Sequence, residues 1–319
     1  MNTHFADRLV NAIRKKNAPA CVGFDPLVER FPASLLADAG IRTTRQGDPE
    51  SGTSHGAIAE ALLNFGREVI RIVAPHVPAI KVNIAFFERY GHEGIRVYFE
   101  LVRCARDADL IVIGDVKRAD IGHSSTQYAH AHLGDLKPAG LIAPDAITVN
   151  PYFGFDTIRP FIDIARDTGR GLFVLVQTSN ASAAEVQNVA LSDGSTLCQH
   201  VARLVQTWAS GEGLVGSSNY SCVGAVVSPR DIESTQRIRT LMPNCLFLVP
   251  GFGAQGRTVE EVAECFNADG TGAIVNASRS VIYAYRDERY SETCGDDWQA
   301  GVDQACRDFV NAIRAVVAG

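Results

Sequence analysis

The stretch Asp115-Val116-Lys117-Arg118-Ala119-Asp120 holds the chain's strongest chemical signal. In extended backbone, residues two apart point the same way, roughly 6–7 Å apart. Asp115 and Lys117 are therefore expected to face one pocket, and Lys81, on a neighbouring predicted strand, completes an alternating Lys–Asp–Lys–Asp row with Asp120. Each charge in such a row is held by opposite neighbours, at about 4 kcal/mol per contact for an effective dielectric of about 20. The row can thus stay ionised inside a pocket without a metal ion. The same residues could also form a salt-bridge network that serves only structure, because ion pairs often do.

A second signal suits an anion. The loop Pro250–Gly256 is glycine-rich and precedes a helix expected to begin near Thr258, so its backbone N–H groups can approach a phosphate closely. Arg279 follows the last predicted strand and can give paired hydrogen bonds to phosphate oxygens. The alternative is a tight turn and a solvated arginine. The histidines add little. His130 and His132 are two apart on a predicted helix and face different directions, while His123, beside the charged motif, suits a loop or supporting role better than catalysis. Neither an HExxH motif nor a Ser-His-Asp arrangement can be argued.

These residues need elements to position them. Eight short apolar, β-branched-rich runs recur: Ala20–Phe24, Ala79–Ile84, Leu110–Asp115, Ala146–Asn150, Leu172–Gln177, Val223–Val227, Leu246–Pro250 and Gly272–Asn276. Most are continuously apolar, as in strands buried on both faces of a parallel sheet. Between them lie segments with helical spacing, among them Ala57–Ala74, His92–Asp107, Thr196–Ser210 and Thr258–Phe266, with Phe5–Lys15 opening and Gln299–Val317 closing the chain. Strands alternating with helices predict an α/β fold, a (β/α)8 TIM barrel occupying residues 1–319 as one domain. A doubly wound open sheet is the competitor. In a barrel, chemistry gathers at the C-terminal strand ends, which is where Asp25, Asp115, Lys117, Asn150, Ser179 and Arg279 fall in this assignment. Arg42–Gly56 and Gly211–Ser221 look like surface insertions, free to move.

A formal charge of −6 argues against a general nucleic-acid binder, although a pocket can be locally positive in an acidic protein. The eight cysteines form no CxxC pair and match neither a zinc site nor a disulfide framework, so a reducing compartment is expected. The N-terminal residues contain no apolar signal core, and no apolar run approaches the roughly 20 residues needed to span a bilayer. A cytoplasmic location away from membranes is the expectation.

Asp115-Val-Lys-Arg-Ala-Asp-Ile-Gly122 resembles the signature of the orotidine 5'-phosphate decarboxylase family, especially its longer-chain, bacterial-type branch. Val22–Pro26, Lys81–Glu88, Asp145–Gly154, Val176–Asn180, Leu248–Gly256 and Asn276–Arg279 resemble the same branch, in order along the chain. The resemblance implies conversion of orotidine 5'-monophosphate (OMP) to UMP and CO2 without cofactor or metal. Asp25 would bind a ribose hydroxyl, and Lys81 would hold the charge array and touch ribose. Asp115 would sit beside the substrate carboxylate, while Lys117 would stabilise charge at C6 and deliver the proton. Asp120 would reach across a homodimer interface into the partner's site. Ser179 would contact the pyrimidine, and Gln255 and Arg279 the phosphate, with Gly251–Gly256 as a gripping loop.

The sequence departs from the family pattern at two places. Ser124 stands where a threonine is usual, with Ser125 and Thr126 crowding the same substrate contact, and Ser228-Pro229-Arg230 replaces the branch's frequent Gly-Ala-Thr after the sixth strand. Two other functions remain open: a magnesium-dependent sugar-phosphate decarboxylase or synthase of related type, in which an acidic residue stands at the position of Lys81, and a non-catalytic phosphate-ligand binder on the same fold.

Overall fold

The computed structural model describes residues 4–44, 49–136, 140–252 and 259–318, with the backbone alone at Val259 and Ala318. The apolar runs form eight strands: β1 (Ala20–Phe24), β2 (Ala79–Asn83), β3 (Ile111–Arg118), β4 (Ala146–Val149), β5 (Gly171–Gln177), β6 (Val223–Val227), β7 (Phe247–Val249) and β8 (Ala273–Ala277). They pair in parallel, in sequence order, and close through β1–β8 contacts such as Cys21 opposite Asn276. The architecture is a (β/α)8 barrel, not an open sheet. β1, β4, β6, β7 and β8 are buried throughout, which explains their unbroken apolar runs.

The helices are α1 (Phe5–Lys16), α2 (Ala33–Asp38), α3 (His55–Val73), α4 (Ala85–Glu88), α5 (Gly91–Asp107), α6 (Gly122–Leu133), α7 (Phe155–Thr168), α8 (Ala183–Gln187), α9 (Leu197–Ala209), α10 (Ile232–Leu241), α11 (Val259–Ala263), α12 (Arg279–Ile282), α13 (Glu288–Cys294) and α14 (Trp298–Ala318). Local chemistry sets several of their starts. Ser54 caps α3 by accepting from the Ala57 N–H, and Thr196 with Gln199 forms a capping box on α9. Asp231 caps α10. On α3, Ile58, Leu62, Phe65, Val69 and Val73 are buried at helical spacing. Phe65 joins both ends of the chain, with ring centroids 5.8 Å from Phe24, 6.0 Å from Tyr283 and 5.4 Å from Trp298.

The N-terminal mouth of the barrel is closed. A Cβ on Gly171 would lie 2.1 Å from the Phe5 ring, so the ring enters over a residue without a side chain and packs edge-on against Phe173. Asp145 accepts from the Arg8 guanidinium and the Val112 N–H, tying α1 to β3 and β4. The segment 211–221, expected to be a free surface insertion, is tethered here. The backbone N–H groups of Ser217 and Ser218 donate to Asp7, and His4 meets the Leu214 carbonyl. In the 42–56 segment, Thr43 bridges Pro49 and the Glu50 N–H donates to the Arg42 carbonyl; part of this segment lies outside the described residues. With one mouth sealed, the C-terminal mouth is left to the chemistry.

Candidate active site

Register carries the charged residues into that mouth. Gly23 lies opposite Lys81, and Asn83 opposite Asp115. Side chains alternate along a strand, so Lys81 and Asn83 share the inward face with Asp115. The resulting cavity, of roughly 260 Å³, is lined by Asp25, Lys81, Asp115, Lys117, Ser179 and Arg279, with Asn83, Thr148 and Asn276 among its other polar walls. Lys81 donates to Asp115 at 2.8 Å and stands 3.5 Å from Asp25; Lys117 donates to the other Asp115 oxygen at 2.5 Å. The order is Asp25–Lys81–Asp115–Lys117. The side chains of Lys81 and Asp115 are 7% and 8% exposed, against 50% for Lys117, so Lys117 is the array's more exposed cation.

The electrostatics follow from this order. Burial works against the Asp115 carboxylate, but Lys81 and Lys117 outweigh it and hold Asp115 far below the usual carboxylate range. Burial likewise opposes the Lys81 ammonium, yet Asp25 and Asp115 raise it above the ordinary lysine range. Both groups are therefore charged at neutral pH. The buried Asp25 Oδ1 lies in the ion pair with Lys81, and neither it nor Asn276 Oδ1 accepts a hydrogen bond among the described residues, which leaves these two cavity-lining residues with acceptor capacity for a ligand's hydroxyl or N–H.

The expected extended geometry of Asp115–Lys117 is corrected here. β3 runs on to Arg118, and its register against β4 shifts between Gly114 and Arg118. Lys117 adopts φ +45°, a left-handed conformation, which costs a non-glycine residue about 1–2 kcal/mol. Thr148 on β4 holds the bulge: its hydroxyl accepts the Val116 and Lys117 N–H groups, both at 3.0 Å, and donates to Asp115 at 2.9 Å. One side chain thus fixes both the backbone of Lys117 and the carboxylate that pairs with it. Lys117 meets Asp115 because the strand bulges, rather than because it alternates.

Other predicted site residues lie elsewhere. Asp120 and Ser124 are not among the residues lining this cavity. Asp120 accepts the Ile121 N–H, and Ser124 is exposed in the first turn of α6. Of the crowded hydroxyls, buried Ser125 is spent on the Thr157 carbonyl at 2.5 Å, and Thr126 turns back to the Gly122 carbonyl at 3.5 Å. Ser124 is the one turned outward. Gln255 and the 253–256 part of the glycine-rich loop lie outside the described residues, as does Thr258; Gly251 and Phe252 line the cavity. His123 and His130 are exposed, and His132 is buried away from the site.

The model for the orotidine 5'-phosphate decarboxylase / HUMPS family matches residues 53–293. The chain belongs to this family. It is 37% identical over 303 residues to an orotidine 5'-phosphate decarboxylase of Rhodopirellula baltica, covering 94% of this chain and 96% of that one. It is 41% identical over 217 residues to one of Deinococcus radiodurans, covering 68% and 75%. A crystal structure of a candidate orotidine 5'-phosphate decarboxylase from Streptomyces avermitilis superposes with TM-score 0.75 at 34% identity, covering 99% and 97%. The Leishmania donovani OMP decarboxylase structure gives 0.71 at 25%, covering 99% and 100%.

Within this family frame, Thr148 and Asn83 are the site residues that sequence reasoning missed. A signal existed for each. Thr148 is the polar residue in the apolar run Ala146–Val149, and Asn83 stands two residues after Lys81, on its face of β2.

Proposed function

We propose that this protein decarboxylates OMP to UMP and CO2 as the last step of UMP synthesis, without metal or cofactor. The observation that carries the proposal is the alternating Asp25–Lys81–Asp115–Lys117 array, with Lys117 half-exposed at the cavity. Breaking the bond between C6 and the carboxyl carbon leaves its electron pair on C6, in an orbital that no substrate carbonyl delocalises. The Lys117 ammonium stabilises that pair as it forms and then gives C6 a proton. Because Asp115 and Lys81 are already charged and paired, little reorganisation is needed at that moment. Asp25 and Lys81 hold the ribose, Ser179 the pyrimidine, and Gln255 and Arg279 the phosphate.

The magnesium-dependent sugar-phosphate alternative is disfavoured by Lys81, whose ammonium repels a divalent cation. Both inward carboxylates beside it are already engaged by lysine.

The proposal includes a cytoplasmic homodimer, each chain a single barrel domain. Ile121, Tyr152, Phe153 and Phe155, on the neighbouring turns after β3 and β4, are 46–78% exposed, and such clustered apolar side chains suit a subunit interface. Asp120 and Ser124 flank Ile121 in the chain, and in this reading they enter the partner's cavity. All eight cysteines are unpaired, in keeping with a reducing compartment.

The test is the ultraviolet absorbance change of OMP in the presence of EDTA. Rapid formation of UMP is expected. No conversion by folded protein, with sugar-phosphate chemistry appearing on addition of magnesium, would overturn the proposal.

A further inference from the structure

The tripeptide Ser228-Pro229-Arg230 follows β6, and the charge array gives it no role. Ser228 binds the end of β5 twice: its N–H donates to the Gln177 carbonyl at 2.8 Å, and its carbonyl accepts from the Gln177 side chain at 2.7 Å. Arg230 therefore projects from a turn fastened to the barrel wall. Its guanidinium crosses to α8, donating to Asn188 Oδ1 at 2.6 Å and to Gln187 Oε1 at 3.0 Å.

Gln187 passes the connection to the cavity. Its Oε1 also accepts the Thr178 N–H at 3.1 Å, and its Nε2 donates to the Thr178 hydroxyl at 2.7 Å. That hydroxyl in turn donates to Asn180 at 2.7 Å. Two donors converge on Oε1, so the amide has one workable orientation. Thr178 and Ser179 both line the cavity. α8 has five residues, and its Val186 and the nearby Val189 are about half-exposed. A helix this short does not hold itself. Ala183 is buried and the Leu197 N–H donates to the Val189 carbonyl, and the charge-assisted bonds from Arg230 on its fixed turn add to this hold.

We infer that Arg230 is a positioning residue for recognition of the pyrimidine: acting through Gln187, it holds the Thr178–Ser179 turn against the base. This rests on the OMP decarboxylase proposal and adds a specificity device to it. The phosphate side of the cavity, at Arg279, is formed by β8 and α12 and does not depend on it.

The test measures UMP and ribose 5-phosphate binding by calorimetry, together with OMP turnover, for wild type, Arg230→Ala, Gln187→Ala and the double variant. Arg230→Ala is expected to weaken UMP about tenfold, leave ribose 5-phosphate unchanged, and raise KM more than it lowers kcat. The double variant is expected to be no worse than Gln187→Ala, because both substitutions break one path. Arg230→Lys, with one point charge in place of a fork, is expected to restore only part of the UMP affinity. Equal weakening of both ligands, unchanged UMP affinity, or full additivity would overturn the inference. Failure of wild type to bind UMP at all would instead overturn the function on which it rests.

Discussion

Replacing Thr148 with valine keeps the shape of the side chain and removes the hydroxyl that organises Lys117. Three bonds disappear: two accepted from the Val116 and Lys117 N–H groups and one donated to Asp115. An orphaned buried N–H costs about 1–3 kcal/mol, and a bond to a charged acceptor contributes about 1.5–3 kcal/mol. The Lys117 N–H is only partly buried, so water recovers some of its share. The expected loss of stability is about 3–5 kcal/mol. The catalytic effect should be larger than this implies for the fold. Without these bonds the φ +45° conformation at Lys117 loses its support, and a shift of about 1 Å in a reacting group can lower the rate about 100-fold. Urea unfolding and OMP turnover would be compared for wild type, Thr148→Val and Thr148→Ser. The valine variant should lose about 100-fold or more in kcat, with the serine variant recovering most of it. Turnover of the valine variant within about threefold of wild type would refute the role given to the bulge.

Three further outcomes follow from the structure and the proposed homodimer. Burial, with Arg118 alongside, pushes the His132 imidazole down to about 4. The unfolded chain takes up this proton near pH 6.5 and the folded chain only near pH 4, so stability falls as pH drops through that window, by about 3 kcal/mol. His132→Gln should flatten this dependence in urea titrations, and equal acid sensitivity in variant and wild type would contradict it. Mixing inactive Lys117→Ala and Asp120→Ala chains under conditions of subunit exchange should restore about a quarter of wild-type activity, because half of each hybrid dimer would carry an intact site; no recovery despite hybrid formation would remove Asp120 from the partner's site. In Gly23→Ala the added Cβ would lie 1.9 Å from Ser278 Oγ and 3.0 Å from Asn276 Nδ2. This variant should raise KM for OMP by displacing the β8 end that carries Arg279, and an unchanged KM would show that Ser278 yields freely.

The barrel was legible in the sequence because parallel strands covered on both faces need unbroken apolar runs, and each of the eight runs became a strand. Ends were less legible. β3 extends past Asp115 to Arg118, since pairing across a bulge leaves no hydropathy signature. Lys81, Asp115 and Lys117 were readable from residue type and spacing, but the fourth member, Asp25 in place of Asp120, and the geometry were not. Alternation placed Asp115 and Lys117 together for the wrong local reason, whereas the left-handed turn at Lys117 depends on Thr148, about thirty residues away in sequence and adjacent only through β3–β4 pairing. Loop 211–221 looked free by composition, and its anchor, Asp7, lies at the far end of the chain. Arg230 stood out in the sequence as a departure, and only the fold supplies its partners Gln187 and Asn188.

The most direct measurement is OMP turnover by EDTA-treated wild type beside Lys117→Ala, with UMP binding measured on both. Rapid metal-free conversion by wild type is expected, with chemistry abolished in the variant while its fold and UMP affinity largely persist. Near-wild-type turnover by Lys117→Ala, or wild-type activity that disappears with EDTA and returns with magnesium, would contradict a mechanism centred on Lys117.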